Sequence, residues 1–268
     1  MQRLIWWVIA LFGVAVVGLI FWNALRPAPV PEVPVAPQPR TEVSPAPQAV
    51  EPEIRHPVPD RIATKPLPAL DTSDNTMRNA IVELSGNGDL VETLILQGFI
   101  RRVVATIDNL TAPKVASRIM PVKRVDGAFA VSGDEGRYAI AAANTDRYDR
   151  YLRLMEAIDS EKLAAFYFHY YPLFQQAYRE LGYPKGHFND RLVVVIDHLL
   201  EAPELPAPVA LVRPKVLYLY ADPELEARSA GQKILMRMGS AHSARIKTLL
   251  REIRAAITRP RQPAEAGR

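Results

Sequence analysis

The chain has 268 residues, with 33 Lys and Arg against 29 Asp and Glu and no cysteine. A net charge of +4 is too small to point to a nucleic-acid partner. The missing thiols exclude disulfides, a Cys nucleophile, a Cys-ligated metal and a lipidated Cys anchor. The length allows one sizeable domain or two small ones.

After a short tail of residues 1–3, residues 4–25 (LIWWVIALFGVAVVGLIFWNAL) contain no charge. At ~1.5 Å per residue they span a hydrocarbon core of ~30 Å. Trp6, Trp7 and Trp22 stand near the two ends, where interfacial aromatics belong. The run is longer than a signal-peptide core and lacks a clean small-residue cleavage site, so a retained transmembrane anchor is expected. Arg3 and Arg26 flank it and nearly balance the positive-inside rule. The short tail favours a cytoplasmic N-terminus, an inner-membrane location and a periplasmic C-terminal domain.

Residues 26–70 form a Pro-rich linker that holds 13 of the chain's 24 prolines. Alternating Ala-Pro and Val-Pro stiffens a chain toward polyproline II and cannot build a core. It reads as a stalk or a disordered tether between membrane and domain.

Residues 71–258 are the globular part, followed by a tail, 259–268. Asp71, Ser73 or Asp74 caps a first helix that ends near Gly86. A second helical region covers residues 90–110 with an interruption at Gly98. Residues 129–131 and 137–140, around SGDEG, predict a hairpin. A helix follows from Thr145 or Asp146 to Ile158. From Ser160, Leu163, Phe166, Tyr167, Tyr170, Tyr171, Leu173, Phe174, Ala177, Tyr178 and Leu181 share one arc of about 160°. Glu161, Lys162, Gln175, Gln176, Arg179 and Glu180 fall opposite. Pro172 lies on the polar side, predicting one kinked helix bent around the core, and Gly182 stops it. Asn189 caps the next helix, to Glu201, with Leu192, Val193, Val195, Ile196, Leu199 and Leu200 inward. VLYLY from Val216 is expected to be helical. Asp222-Pro223 opens a helix closed by Gly239, in which small residues including Gly231 permit a close crossing. Ser240 caps the last helix. The expected fold class is mainly α, about seven helices with a small β hairpin, preceded by one transmembrane helix and the Pro-rich linker.

The candidate site is the turn and helix face carrying His187, Asn189, Asp190, Asp197, His198 and Glu201. Asp190, Asp197 and Glu201 lie within about 40° on the wheel. Such oxygens suit a hard cation, and an imidazole beside a carboxylate suits acid–base work. The plainer account is helix-dipole placement of Asp190 and a solvated carboxylate face. No HExxH, Ca²⁺-loop pattern, GxSxG elbow or phosphate-binding Gly loop occurs, and no metal or cofactor is expected. Twelve aromatics between Tyr138 and Phe188 fit a core stripe better than a ligand platform. Phe168, on the polar arc, is expected to touch another segment or a partner. The exposed rim of this region, Phe168 and Gln176 with the turn residues, is the candidate binding surface. Two basic stretches, Arg101, Arg102, Lys114, Arg118, Lys123 and Arg124, and the Lys/Arg residues after His242, would attract anionic headgroups or form solvated faces.

FIRRVVATIDNL (from Phe99), YPLFQQAYRELGYP (from Tyr171), FNDRLVVVIDHLL (from Phe188), RPKVLY (from Arg213) and ADPELEARSAGQK (from Ala221) together resemble a family of Gram-negative bacterial proteins. That family is catalogued only as a domain of unknown function. The resemblance covers roughly residues 71–257 and implies a membrane segment, a Pro-rich spacer and this domain, with no activity, cofactor or catalytic residue. The expected role is a membrane-anchored periplasmic interaction or scaffold module with a protein partner in the cell envelope, touching the lipid bilayer through residues 4–25. The alternatives are an envelope hydrolase or metal-dependent enzyme using the His187 and Glu201 face, and a cell-wall ligand-binding module.

Overall fold

Four helices carry the core. The computed structural model describes residues 53–59, 66–86, 88–134 and 136–259, all within one compact unit, Val50–Arg268. The expected membrane segment 4–25, most of the linker and the tail from residue 260 lie outside the described residues. Among the described residues no helix is long and apolar enough to cross a membrane.

Helix α1 (Asp74–Ser85) and the single turn α2 (Asp89–Glu92) lead into α3 (Phe99–Asn109). Gly98 enters α3 with φ +63°, a left-handed conformation that favours glycine. The two N–H groups at that helix start are satisfied from outside. Asp74 accepts from Gly98 N at 2.8 Å and from Phe99 N at 3.2 Å. An acid expected to cap its own helix therefore caps its neighbour. Two short helices follow, α4 (Ala143–Asp146) and α5 (Asp149–Glu156), then α6 (Ser160–Glu180), α7 (Phe188–Leu200), α8 (Pro223–Glu226), α9 (Ala230–Arg237) and α10 (Ser240–Thr258).

Among the described residues ten α-helices stand in place of the expected seven or so, because the 90–110 region parts at its expected interruption and two further segments break. Residues 93–98, which include Gly98, separate α2 from α3, Arg147 and Tyr148 separate α4 from α5, and residues 227–229 separate α8 from α9. At the last break Ser229 starts α9 afresh, its hydroxyl accepting from Gln232 N at 3.2 Å. Asp222 caps α8 as expected, accepting from Glu224 N at 2.8 Å. Ser240 does not cap α10. Gly239 holds that position, and no side chain bonds there.

The expected hairpin pairs β1 (Val131–Ser132) with β2 (Tyr138–Ile140), in the register Val131↔Ile140. It is half of a four-stranded antiparallel sheet, ordered β1-β2-β3-β4, with β3 (Ala210–Val212) and β4 (Leu219–Tyr220). Leu211 pairs with Tyr138 on one side and Tyr220 on the other. VLYLY is thus loop and strand, not helix. Strands of two or three residues are too short for apolar alternation to declare itself.

In the core, α6 packs on α3 and α10, and α7 packs on α10 and α3. Met77, Ile100, Val104, Phe188 and Val193 are fully enclosed there. The helix is continuous through Pro172, which faces solvent and leaves the Phe168 carbonyl without its ladder donor. Helix α9 approaches α7 at Gly231. A Cβ there would stand 2.5 Å from Leu199 Cδ2 and 2.9 Å from the Leu110 carbonyl, so the expected small-residue crossing is present.

The turn between α6 and α7 is fastened by Gln175, a residue expected on the solvated arc and in fact buried. Its Nε2 donates to the Gly186 carbonyl at 2.7 Å, and its Oε1 accepts from Phe188 N and from the Tyr171 hydroxyl, both at 2.8 Å. Phe188 is 0% exposed and stacks on Phe174 at 6.0 Å with an interplanar angle of 8°. Gln175→Leu preserves the volume but leaves the Phe188 N–H and the Gly186 carbonyl unpaired. The expected loss is about 2–3 kcal/mol in urea unfolding, and a change within error would contradict the clasp.

Candidate functional site

His187 occupies the N-cap position of α7 but gives no side-chain cap, and neither does Asn189. Asn189 is instead 0% exposed. Its Oδ1 accepts from the Tyr167 hydroxyl at 3.1 Å, and its Nδ2 donates to the His56 carbonyl at 2.9 Å. Asp190 takes the neighbouring amides: Oδ2 from Arg55 N at 3.1 Å and Oδ1 from His56 N at 2.7 Å. Residues 53–59, read as linker in the sequence, lie across the start of α7 as a strap. The Asp190 carboxylate favours the positive end of the helix and accepts two backbone donors at once.

A cleft of about 550 Å³ lies beside the strap, lined by Glu53, Arg55, His56, His187, Asp190 and Asp197 among others. Three of the expected site residues therefore do share one concave surface. Two of them are already engaged. Asp190 holds the strap, and Asp197 receives Arg254 through two bonds of 2.5 and 3.0 Å. His198 turns to the other side of α7, its Nε2 2.8 Å from the buried Ser229 hydroxyl. That spacing matches a base and nucleophile. However, the same hydroxyl caps α9, and Gln232 closes the contact by donating to the His198 carbonyl at 2.9 Å. Glu201 sits exposed at the helix end. Gln176 is exposed and donates to Glu180 at 3.0 Å. Phe168 is half-buried, packs against the core and tilts onto Tyr167 with ring centroids 5.7 Å apart. Among the described residues no group of three or more His, Asp or Glu is placed to hold a metal ion.

Parts of the basic stretches resolve into contacts. Arg101 pairs with Asp71 at 2.7 Å and Glu180 at 2.9 Å. Arg245 pairs with Glu156 and Arg259 with Glu161. Lys247, 5% exposed, donates to the Ala202 carbonyl at 2.6 Å.

A second cleft, of about 700 Å³, opens between the sheet and α9. No sequence pattern announced it. Four cations line it, Lys114, Arg147, Lys233 and Arg237, with the carboxylate Glu226 and the rings of Phe129, Tyr148 and Tyr218. Lys233 pairs with Glu226 at 3.0 Å. Arg147 bonds only neutral oxygens, the carbonyls of Asp126 and Gly127 and Asn144 Oδ1, at 3.1, 2.9 and 2.8 Å. The Arg237 guanidinium lies 5.8 Å from the Phe129 ring centre and 5.6 Å from that of Tyr220, and its buried Nε has no hydrogen-bond partner. Burial raises the Glu226 carboxyl, but the Tyr220 N–H and the Lys233 ammonium outweigh it and hold the group below the usual carboxylate range. Burial pushes the Tyr220 phenol up to about 12, against the pull of Arg237.

Residues 99–254 match the model of a family described as Protein of unknown function (DUF3014). No curated protein and no solved structure matches the chain.

Asp190→Ala should free the strap. Hydrogen exchange at the Arg55 and His56 amides is expected to accelerate by about ten- to a hundredfold, as for loss of bonds to a charged acceptor, while α6 stays protected. Unchanged exchange at both amides would refute the strap. A second expectation concerns alkaline stability. The Tyr220 phenol titrates near ~10 in an unfolded chain and at about 12 in the fold, so the folded state holds its proton more tightly. Its contribution is complete below the unfolded value and disappears as pH rises through the folded one. Melting temperature should fall across that interval, and Tyr220→Phe should flatten the fall; an equal slope in the variant would contradict the assignment.

Proposed function

The chain belongs to the DUF3014 family, for which no activity is assigned, and we propose that it is a membrane-tethered binding module of the bacterial cell envelope. In this reading residues 4–25 cross the inner membrane once, the Pro-rich linker spans the gap, and the helical domain stands in the periplasm and engages a protein partner as a scaffold. The observation that carries the reading is the use made of the candidate site. Asp190 and Asn189 hold the end of the linker against α7. Asp197 is bound by Arg254 and His198 by Ser229. The groups that hydrolysis or metal binding would need at this face are fasteners, and the linker itself covers part of it. This supports a domain hung in a fixed way from its tether over one that turns over a substrate here.

A compartment-sensitive reporter fused after Arg268 should be active only on the periplasmic side, and cytoplasmic activity would overturn the localisation. Photo-crosslinkers placed at Gln176 and His187 in cells should repeatedly capture one envelope protein. Failure to capture any from either position would sink the scaffold role.

A further inference from the structure

The loop between β3 and β4, residues 213–218, does the opposite of what apolar residues ordinarily do. Val216 is 77% exposed and Leu217 73% exposed, side by side at its tip. Single exposed aliphatics are common and mean little. Here Val212, at 41%, and Ile234, at 39%, add to the exposed apolar surface, and Val216, Leu217 and Ile234 all line the same 700 Å³ cleft. Clustered apolar exposure rimmed by polar groups marks an interaction surface.

The rim is cationic. Lys215 neighbours Val216 in the loop, and Arg213 lies 5.2 Å from the Tyr218 ring centre. Inside the cleft stand Lys114, Arg147 and Arg237. Among the described residues none of these five cations forms an ion pair with a carboxylate, whereas Arg101, Arg191, Arg245 and Arg254 elsewhere in the domain all do. The lone carboxylate of the cleft, Glu226, is taken by Lys233. Tyr148 and Tyr218 add amphipathic rings of the kind found at membrane–water boundaries.

We propose that this surface docks on an anionic lipid bilayer. Val216 and Leu217 enter the interface, and the exposed Lys114, Arg213 and Lys215 receive headgroup phosphates. Apolar insertion and electrostatic attraction to anionic lipid act together in interfacial binding; charge complementarity disfavours an apolar or basic-faced occupant, and the exposed aliphatic tip of Val216 and Leu217 favours lipid. The proposal rests on the tether reading only for proximity, since a tethered domain meets its own membrane at high effective concentration.

The chain has no cysteine, so Leu217→Cys gives a single labelling position in the full chain, with Gln176→Cys as a control on an exposed position of α6. Each is labelled with an environment-sensitive fluorophore and reconstituted in phosphatidylcholine vesicles, with or without a quarter of phosphatidylglycerol. The label at 217 should shift to the blue and be quenched at least about twofold by lipid-borne spin labels, but only with the anionic lipid. The label at 176 should stay in water in both. Adding Arg213→Glu and Lys215→Glu, both exposed, should abolish the response at 217. A water-exposed 217 label in anionic vesicles, or equal burial in both compositions, would overturn the proposal. Carbonate extraction of the same vesicles reports the anchor separately. A chain stripped by carbonate whose 217 label buries at neutral pH keeps the docking surface and refutes the tether. A chain that never floats refutes both.

Discussion

The amide of Gln175 holds the two central helices of this domain in register. A turn that leaves a 21-residue helix and starts another within a few residues exposes backbone groups at its base, and burial of such groups is costly unless each is paired. Gln175 reaches from the penultimate turn of α6, supplies a donor to Gly186 and an acceptor to Phe188, and is itself steadied by Tyr171. With those bonds made, Phe188 can be driven fully into the aromatic stack of Tyr167, Phe174 and Tyr178. The position of α7 follows, and with it the contacts of α7 to α3, α9 and α10. Arg191, one turn on, locks the end of α3 through Asp108 at 2.8 Å and Thr111 at 2.8 Å.

The same logic explains why residues with catalytic vocabulary serve structural ends. Carboxylates at a helix start and imidazoles near a hydroxyl are what enzymes use, but they are also strong partners for backbone amides, guanidinium groups and helix ends. Asp190, Asp197 and His198 each meet such a partner in the fold. Charge left without an opposite partner is found elsewhere, between the sheet and α9, where rings rather than carboxylates surround the guanidinium of Arg237.

Much of this was legible in the chain. Pro172 on the polar arc allowed a continuous helix, the SGDEG turn marked the first hairpin, and Asp222-Pro223 marked the start of α8. What failed did so for identifiable reasons. A helical wheel puts Gln175 on the polar side because it cannot see that the chain returns 11 residues later to bury it. Asn189 has the right chemistry for a cap, yet its environment is set by a segment 133 residues earlier in the chain. The wheel also joined Asp197 and His198 into one face, although successive residues diverge by about 100°, and the fold sends one to α10 and the other to α9. Strands β3 and β4 are legible only through their partners, since Leu211 becomes a strand residue by pairing with Tyr138.

The strap has a mechanical consequence. A pull on the chain ahead of residue 53 loads two hydrogen bonds to Asp190 and one from Asn189 before it reaches any packed helix. Tension therefore meets these three hydrogen bonds as a link ahead of the packed helices, at the start of α7 rather than inside the core.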